Sequence, residues 1–82
     1  MNKPVTIDER GRRCPLPVIS LGRVATGLPD GSQITVLADD PAAGQDIAAW
    51  CRMRGARYLG SATASDGRGL AHSVRLGTQD DA

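Results

Sequence analysis

Two cysteines, Cys14 and Cys51, are the sulfur nucleophiles available to this chain of 82 residues. Their surroundings differ. Cys14 lies in the run Asp8-Glu9-Arg10-Gly11-Arg12-Arg13-Cys14-Pro15-Leu16-Pro17. A thiolate there could accept a sulfur atom, form a mixed disulfide or be oxidised to a sulfenate. Pro15 and Pro17 suit the first turn of a helix, where a missing N–H costs nothing. Pro17 would break a helix interior, so the helix is expected to start at about Cys14 or Pro15. Unpaired N–H groups and the macrodipole at such a start favour an anion. Arg10, Arg12 and Arg13 add positive charge. Both effects are expected to lower the Cys14 pKa and raise its thiolate population. Pro15 and Pro17 should also stiffen the turn and hold the sulfur outward, with any N–H donors coming from Leu16 or Val18. Leu16 and Ile19 fall off the main apolar stripe and would form a small docking patch around the sulfur.

The remaining candidates have plainer readings. Cys51 follows Trp50 on a stripe that includes Ile47, which suits core packing. A Cys14–Cys51 redox pair would lack C-x-x-C spacing. His72, the one histidine, shares strand parity with Leu70 and Val74, so it is expected to be partly buried and not catalytic. Asp39 and Asp40 could be a carboxylate pair, but Asp40 before Pro41 reads as a helix cap with Pro41 at the first helical position. Asp46 is expected on the surface. Two cysteines and one histidine make no tetrahedral metal site. Arg10, Arg12 and Arg13, with Arg23 and Arg68, could form a basic rim. That rim is either a solvated surface or a feature that docks acidic partners and stabilises the thiolate.

Elements that position these residues can be read from the periodicity. Val5 to Asp8 alternates as a first strand. Val18, Leu21, Ala25 and Leu28 make a helical stripe, ended by Gly27 and Leu28-Pro29-Asp30-Gly31. Gln33 to Ala38 is a second strand. Ala43, Ile47, Trp50 and Cys51 make a second helical stripe, with Arg52 and Arg54 in its last turn and Gly55 as C-cap. Arg57 to Ala64 and Leu70 to Leu76 are strands joined by an Asp66-Gly67-Arg68-Gly69 turn. The order βαβαββ predicts an α/β (α+β) two-layer sandwich, with two helices on one face of a mixed four-stranded sheet. Thr6, Thr35, Ser73 and Arg75 would line its other face.

Composition bounds the rest. The chain is 40% hydrophobic and 23% charged, with net charge +1 and no Phe. It is one domain over 1–82, since a second core needs roughly 50 more residues. Its ordered core is expected over about 4–76, with 77–82 a flexible tail. Near-neutral charge gives no general pull toward nucleic acid or membrane. The aromatics that would stack bases are missing, so direct nucleic-acid binding is not expected. No apolar leader or spanning stretch is visible, which points to the cytoplasm.

Arg10-Gly11-x-x-Cys14-Pro15-x-Pro17 after a strand resembles the signature of the TusA/SirA-like sulfur-carrier family. The likeness continues through Val36-Leu37-Ala38-Asp39-Asp40-Pro41, Asp46-Ile47-x-x-Trp50-Cys51 and Gly55, and covers about Val5 to Leu76. The family's fold is the same βαβαββ sandwich. The resemblance implies a sulfurtransferase with Cys14 as the catalytic residue. A cysteine desulfurase or other persulfide donor would load Cys14. An acceptor protein would take the sulfur onward for tRNA thiolation, molybdenum cofactor synthesis or other sulfur trafficking. No cofactor is implied beyond the covalent persulfide sulfur. The alternatives are a non-catalytic adaptor module and a thiol redox sensor on the same fold. Some relatives carry a charged residue at the motif's variable position, where this chain has Leu16, so acceptor choice is open.

Overall fold

A computed structural model of the protein describes residues 4–77. Its elements are β1 (Val5–Asp8), α1 (Leu16–Thr26), β2 (Gln33–Ala38), α2 (Ala43–Arg54), β3 (Arg57–Thr63) and β4 (Leu70–Arg75). The expected tail beyond Gly77 lies outside the described residues. The sheet runs β1-β2-β4-β3. β1 pairs in parallel with β2, Val5 opposite Ile34 and Asp8 opposite Leu37. β4 pairs antiparallel with both β2 and β3, and a bulge at Leu59 interrupts the β3 register between Tyr58 and Gly60.

One parity of the sheet makes the core. Ile34, Val36 and Ala38 of β2 and His72 and Val74 of β4 are buried. Leu21 of α1 and Ala43, Ile47, Trp50 and Cys51 of α2 complete the same cluster, with Val18, Ala25 and Leu28 packed at its margin. Both helical stripes therefore cover one sheet face. Each fully buried aliphatic side chain contributes roughly 1.5–3 kcal/mol, which is how a core without Phe suffices. Thr6 and Arg75 on the opposite face are exposed, and Thr35 and Ser73 are half-buried. α2 ends at Gly55, whose φ of 71° is the left-handed conformation that glycine adopts without strain.

Both helices start later than their sequence signals suggest. The Leu16 N–H bonds the Arg13 carbonyl at 2.8 Å, a tight turn that holds Pro15 outside helical geometry. α1 thus begins at Leu16, and Cys14 precedes it by two residues. Pro41 and Ala42 likewise form a turn, closed by the Ala43 N–H on the Asp40 carbonyl at 3.0 Å. Ala42 is the N-cap of α2 and makes no side-chain cap bond. Asp40 caps the preceding turn instead, its Oδ1 accepting the Ala42 N–H at 2.9 Å.

Arg10 locks the segment after β1 to the β3–β4 hairpin. Its Nε and Nη2 donate to Asp8 at 2.9 and 2.7 Å. Its Nη1 donates to both oxygens of Asp66, at 2.9 and 2.7 Å, and reaches the Arg68 carbonyl at 3.2 Å. The side chain is only 16% exposed. Hydrogen bonds from Arg10 pull the Asp8 carboxyl from its ordinary 3.8 to about 2. Because Asp8 titrates lower when folded, its stabilising contribution is present above pH 3.8 and is lost as pH falls through about 2. An NMR titration should place the Asp8 midpoint near 2, and Arg10→Gln should return it toward 3.8. A midpoint already at the ordinary value in the parent protein would show that the pair does not form in solution.

Candidate functional site

The site is built from the loop between β1 and α1, fastened from below by the end of β2. Gly11, at φ 85°, donates its N–H to both oxygens of Asp39, at 2.9 and 3.1 Å. The Cys14 N–H donates to Asp40 Oδ2 at 2.9 Å. Asp39 and Asp40 thus hold the two ends of the Gly11–Cys14 loop, and Asp40 also ties it to the entry of α2. The aspartate pair is structural, and its work is broader than capping one helix. Backbone N–H groups from Ala42 and Cys14, and then the Arg13 charge, hold the Asp40 carboxyl below its ordinary range.

Cys14 and Pro15 on this loop and Leu16 at the start of α1 are exposed, whereas Pro17 on the buried face of α1 is not. The Cys14–Pro15 peptide bond is cis. Cys14 opens onto a groove of about 260 Å³ between the helices. Pro15 and Val18 of the α1 side line one wall, and Asp46, Ala49, Trp50 and Met53 of α2 the other. The Arg54 guanidinium lies 5.4 Å from the Trp50 ring centre, close enough for a cation–π contact. Leu16 and Ile19, expected as an apolar docking patch, are 43% and 46% exposed, and neither lines the groove. Met53 does, and is 79% exposed.

The electrostatics reverse the expected direction. Cys14 is pushed up from its ordinary value, first by hydrogen bonding to Asp46, then by desolvation, then by the charges of Asp46 and Asp40. The arginines do not offset this. Arg10 faces Asp8 and Asp66. Arg12 turns to Glu9, with its Nε 3.7 Å from Oε1. Arg13 is exposed and acts on Asp40. The Leu16 N–H, expected as a donor to the sulfur, is taken up by the Arg13 carbonyl. The nearest charges to the thiol are therefore carboxylates, and the resting cysteine is biased toward the protonated form.

Asp46 was expected on the surface. It is half-buried, and its Oδ2 is sealed from solvent with no hydrogen-bond donor among the described residues. Asp46 and Cys14 line the same groove. The chain spacing of 32 between the two residues gave no local signal for this contact. Met53 was missed for a similar reason. It lies off the α2 stripe, and its nearness to Cys14 depends on how the helices pack.

The other candidates stay apart from this groove. Cys51 is buried, and burial pushes its thiol up to about 11. It borders a surface depression of about 530 Å³, together with Arg52, Ala56 and Tyr58, that Cys14 does not line. His72 is buried, with Nδ1 2.9 Å from the Tyr58 hydroxyl, and burial lowers its pKa. Among the described residues no cluster of three or more His, Cys, Asp or Glu side chains could hold a metal ion. No helix of the described residues is long and apolar enough to cross a membrane.

Comparison with known proteins agrees on the family. A solved SirA-like protein of Desulfitobacterium hafniense superposes with a TM-score of 0.71 at 24% identity, covering 92% of this chain and 99% of that one. That likeness supports the fold. A curated relative in Bacillus subtilis, named "Putative sulfur carrier protein YrkF", is 30% identical over 77 residues, which is 94% of this chain. The match covers 40% of that relative's length. The family described as Sulfurtransferase TusA matches residues 5–70, from the first residue of β1 to the first of β4. With that match spanning both helices, the motif loop and most of the sheet, this chain belongs to the TusA sulfurtransferase family.

Proposed function

We propose that the protein is a sulfur carrier in which Cys14 holds the transferred atom as a persulfide. Cys14 Sγ attacks the outer sulfur of a donor persulfide. The new S–S bond forms as the donor's own S–S bond breaks, and the donor leaves as a thiol. The moved sulfur keeps its oxidation state, so no external oxidant or reductant is required. The reverse exchange then delivers it to an acceptor thiolate. A cysteine desulfurase is the expected donor, and an acceptor protein leading to tRNA thiolation, molybdenum cofactor synthesis or another sulfur pathway the expected outlet. The cytoplasm is the expected location.

The observation that carries this reading is the contrast between the two thiols. Cys14 is exposed on a fastened loop beside an apolar groove, and Cys51 is sealed in the core. The redox-sensor alternative would use the same exposed thiol and show peroxide-dependent modification without sulfur uptake. The adaptor alternative would use the same exposed surface without sulfur transfer. Intact mass after incubation with a cysteine desulfurase and cysteine separates them. The expected result is one added sulfur atom, removable by dithiothreitol. A wild-type protein that gains no sulfur from either the desulfurase or a small persulfide is not a carrier.

A further inference from the structure

The Asp46 side chain is half-buried in the first turn of α2, and one of its carboxylate oxygens is left without a hydrogen-bond donor among the described residues. Other carboxylates near the site are occupied. Asp39 binds Gly11, and Asp40 binds Cys14 and Ala42 through their N–H groups. Asp46 sits in the first half of α2 with Oδ2 sealed from water and no donor to satisfy it. A carboxylate oxygen buried without a partner is destabilising, so a donor that reaches it transiently is favoured. The side chain lines the same groove as Cys14, opposite Pro15 and Val18.

We propose that Asp46 is a catalytic partner of Cys14 in sulfur exchange, receiving the thiol proton as Sγ attacks and returning it to the departing thiolate. This rests on the carrier reading above. The balance is simple. Cys14–SH and R–S–SH give Cys14–S–SH and R–SH, where R is the donor. One proton moves from Sγ to Asp46 and from Asp46 to the donor sulfur, and one S–S bond replaces another. On delivery the same carboxylate takes up the acceptor's proton and hands it back to Cys14.

The assignment also accounts for the resting state. A thiol held in its protonated form beside a carboxylate is guarded against stray alkylation and oxidation, which need the thiolate. It becomes reactive when an incoming persulfide fills the groove and places a leaving group within reach of the same proton. The ionisable groups facing Cys14 are Asp46 from α2 and Asp40 from the β2–α2 loop, with Arg13 acting on Asp40.

The test compares two reactions of the same sulfur in Asp46→Asn and, as a second variant, Asp46→Ser. Iodoacetamide needs only the thiolate. Sulfur uptake from cysteine hydropersulfide needs the proton relay as well. Removing the carboxylate should make alkylation of Cys14 several-fold faster at pH 7.5. Single-turnover sulfur uptake should become about tenfold slower or worse. That lies below the 10²–10⁴ of full general acid–base catalysis because thiolates leave readily. Cys51 must stay unalkylated in each variant, which reports that the fold is intact. Uptake that is unchanged, or that speeds up with alkylation, overturns the proposal for Asp46 and leaves the carrier reading standing. A wild type that takes up no sulfur defeats both.

Discussion

Cys14→Ser is expected to reduce sulfur uptake to background, while Cys51→Ser retains it at close to the parent level. The argument combines access and acidity. Cys14 is exposed at the mouth of the groove. Cys51 is 2% exposed on the buried face of α2, and its thiol is pushed up to about 11. Both shifts disfavour the thiolate, but only the thiol on the loop can meet a donor, and exchange between sulfurs requires that meeting. The substitution at Cys14 should leave stability within about 0.5 kcal/mol, as expected for an exposed side chain away from the core. Serine has the same backbone N–H to donate to Asp40, so the loop remains in place. Cys51→Ser should cost more stability, because it puts a hydroxyl into the core cluster. Mass spectrometry of both variants after desulfurase treatment gives the answer. Retained uptake in Cys14→Ser would move the chemistry away from the motif.

The second large effect is on stability. Leu21→Ala should lower the unfolding free energy by roughly 2–5 kcal/mol. Leu21 is completely buried and belongs to the cluster that joins α1 to β2 and α2. The total stability of a domain of this size is on the order of 4–12 kcal/mol, so the loss is a large share of it. The melting temperature should fall by roughly 10 °C or more. Leu16→Ala, on the same helix but 43% exposed, should change stability far less. Urea titration at a common slope separates the two. A loss under about 1 kcal/mol for Leu21→Ala would mean that α1 contributes little to the core. The functional corollary is that α1 supplies one wall of the Cys14 groove through Val18.

Elements and core were legible because they depend on short-range periodicity. Val5–Asp8 and Gln33–Ala38 alternate, and their ends match the observed strands. The stripe Ala43, Ile47, Trp50 and Cys51 is the buried face of α2. Cys14 was legible because its flanks are polar and its prolines mark a helix start. The charge environment was not. Three arginines adjacent in sequence point to three different places, and the partner of Arg10, Asp66, is 56 residues away. Asp46 looked like a surface residue because a helix position alone does not reveal what α1 lays across it. Helix boundaries slipped by one or two residues where a tight turn used the cap signals first, at Arg13–Leu16 and at Asp40–Ala43.

The Arg10 bridge has a consequence for anyone wishing to transplant the motif. Its guanidinium joins two stretches of chain that no helix or strand connects, and one of them is the turn of a hairpin at the far end of the sequence. A chimera that moves residues 8–17 into a related scaffold carries only half of that joint. Its Arg10 would arrive with Asp8 but without Asp66, so the guanidinium would keep its local partner and lose the anchor that fixes the loop to the hairpin. The hairpin turn is thus a remote anchor of the motif loop, and swaps between paralogues should move the two segments as a single cassette.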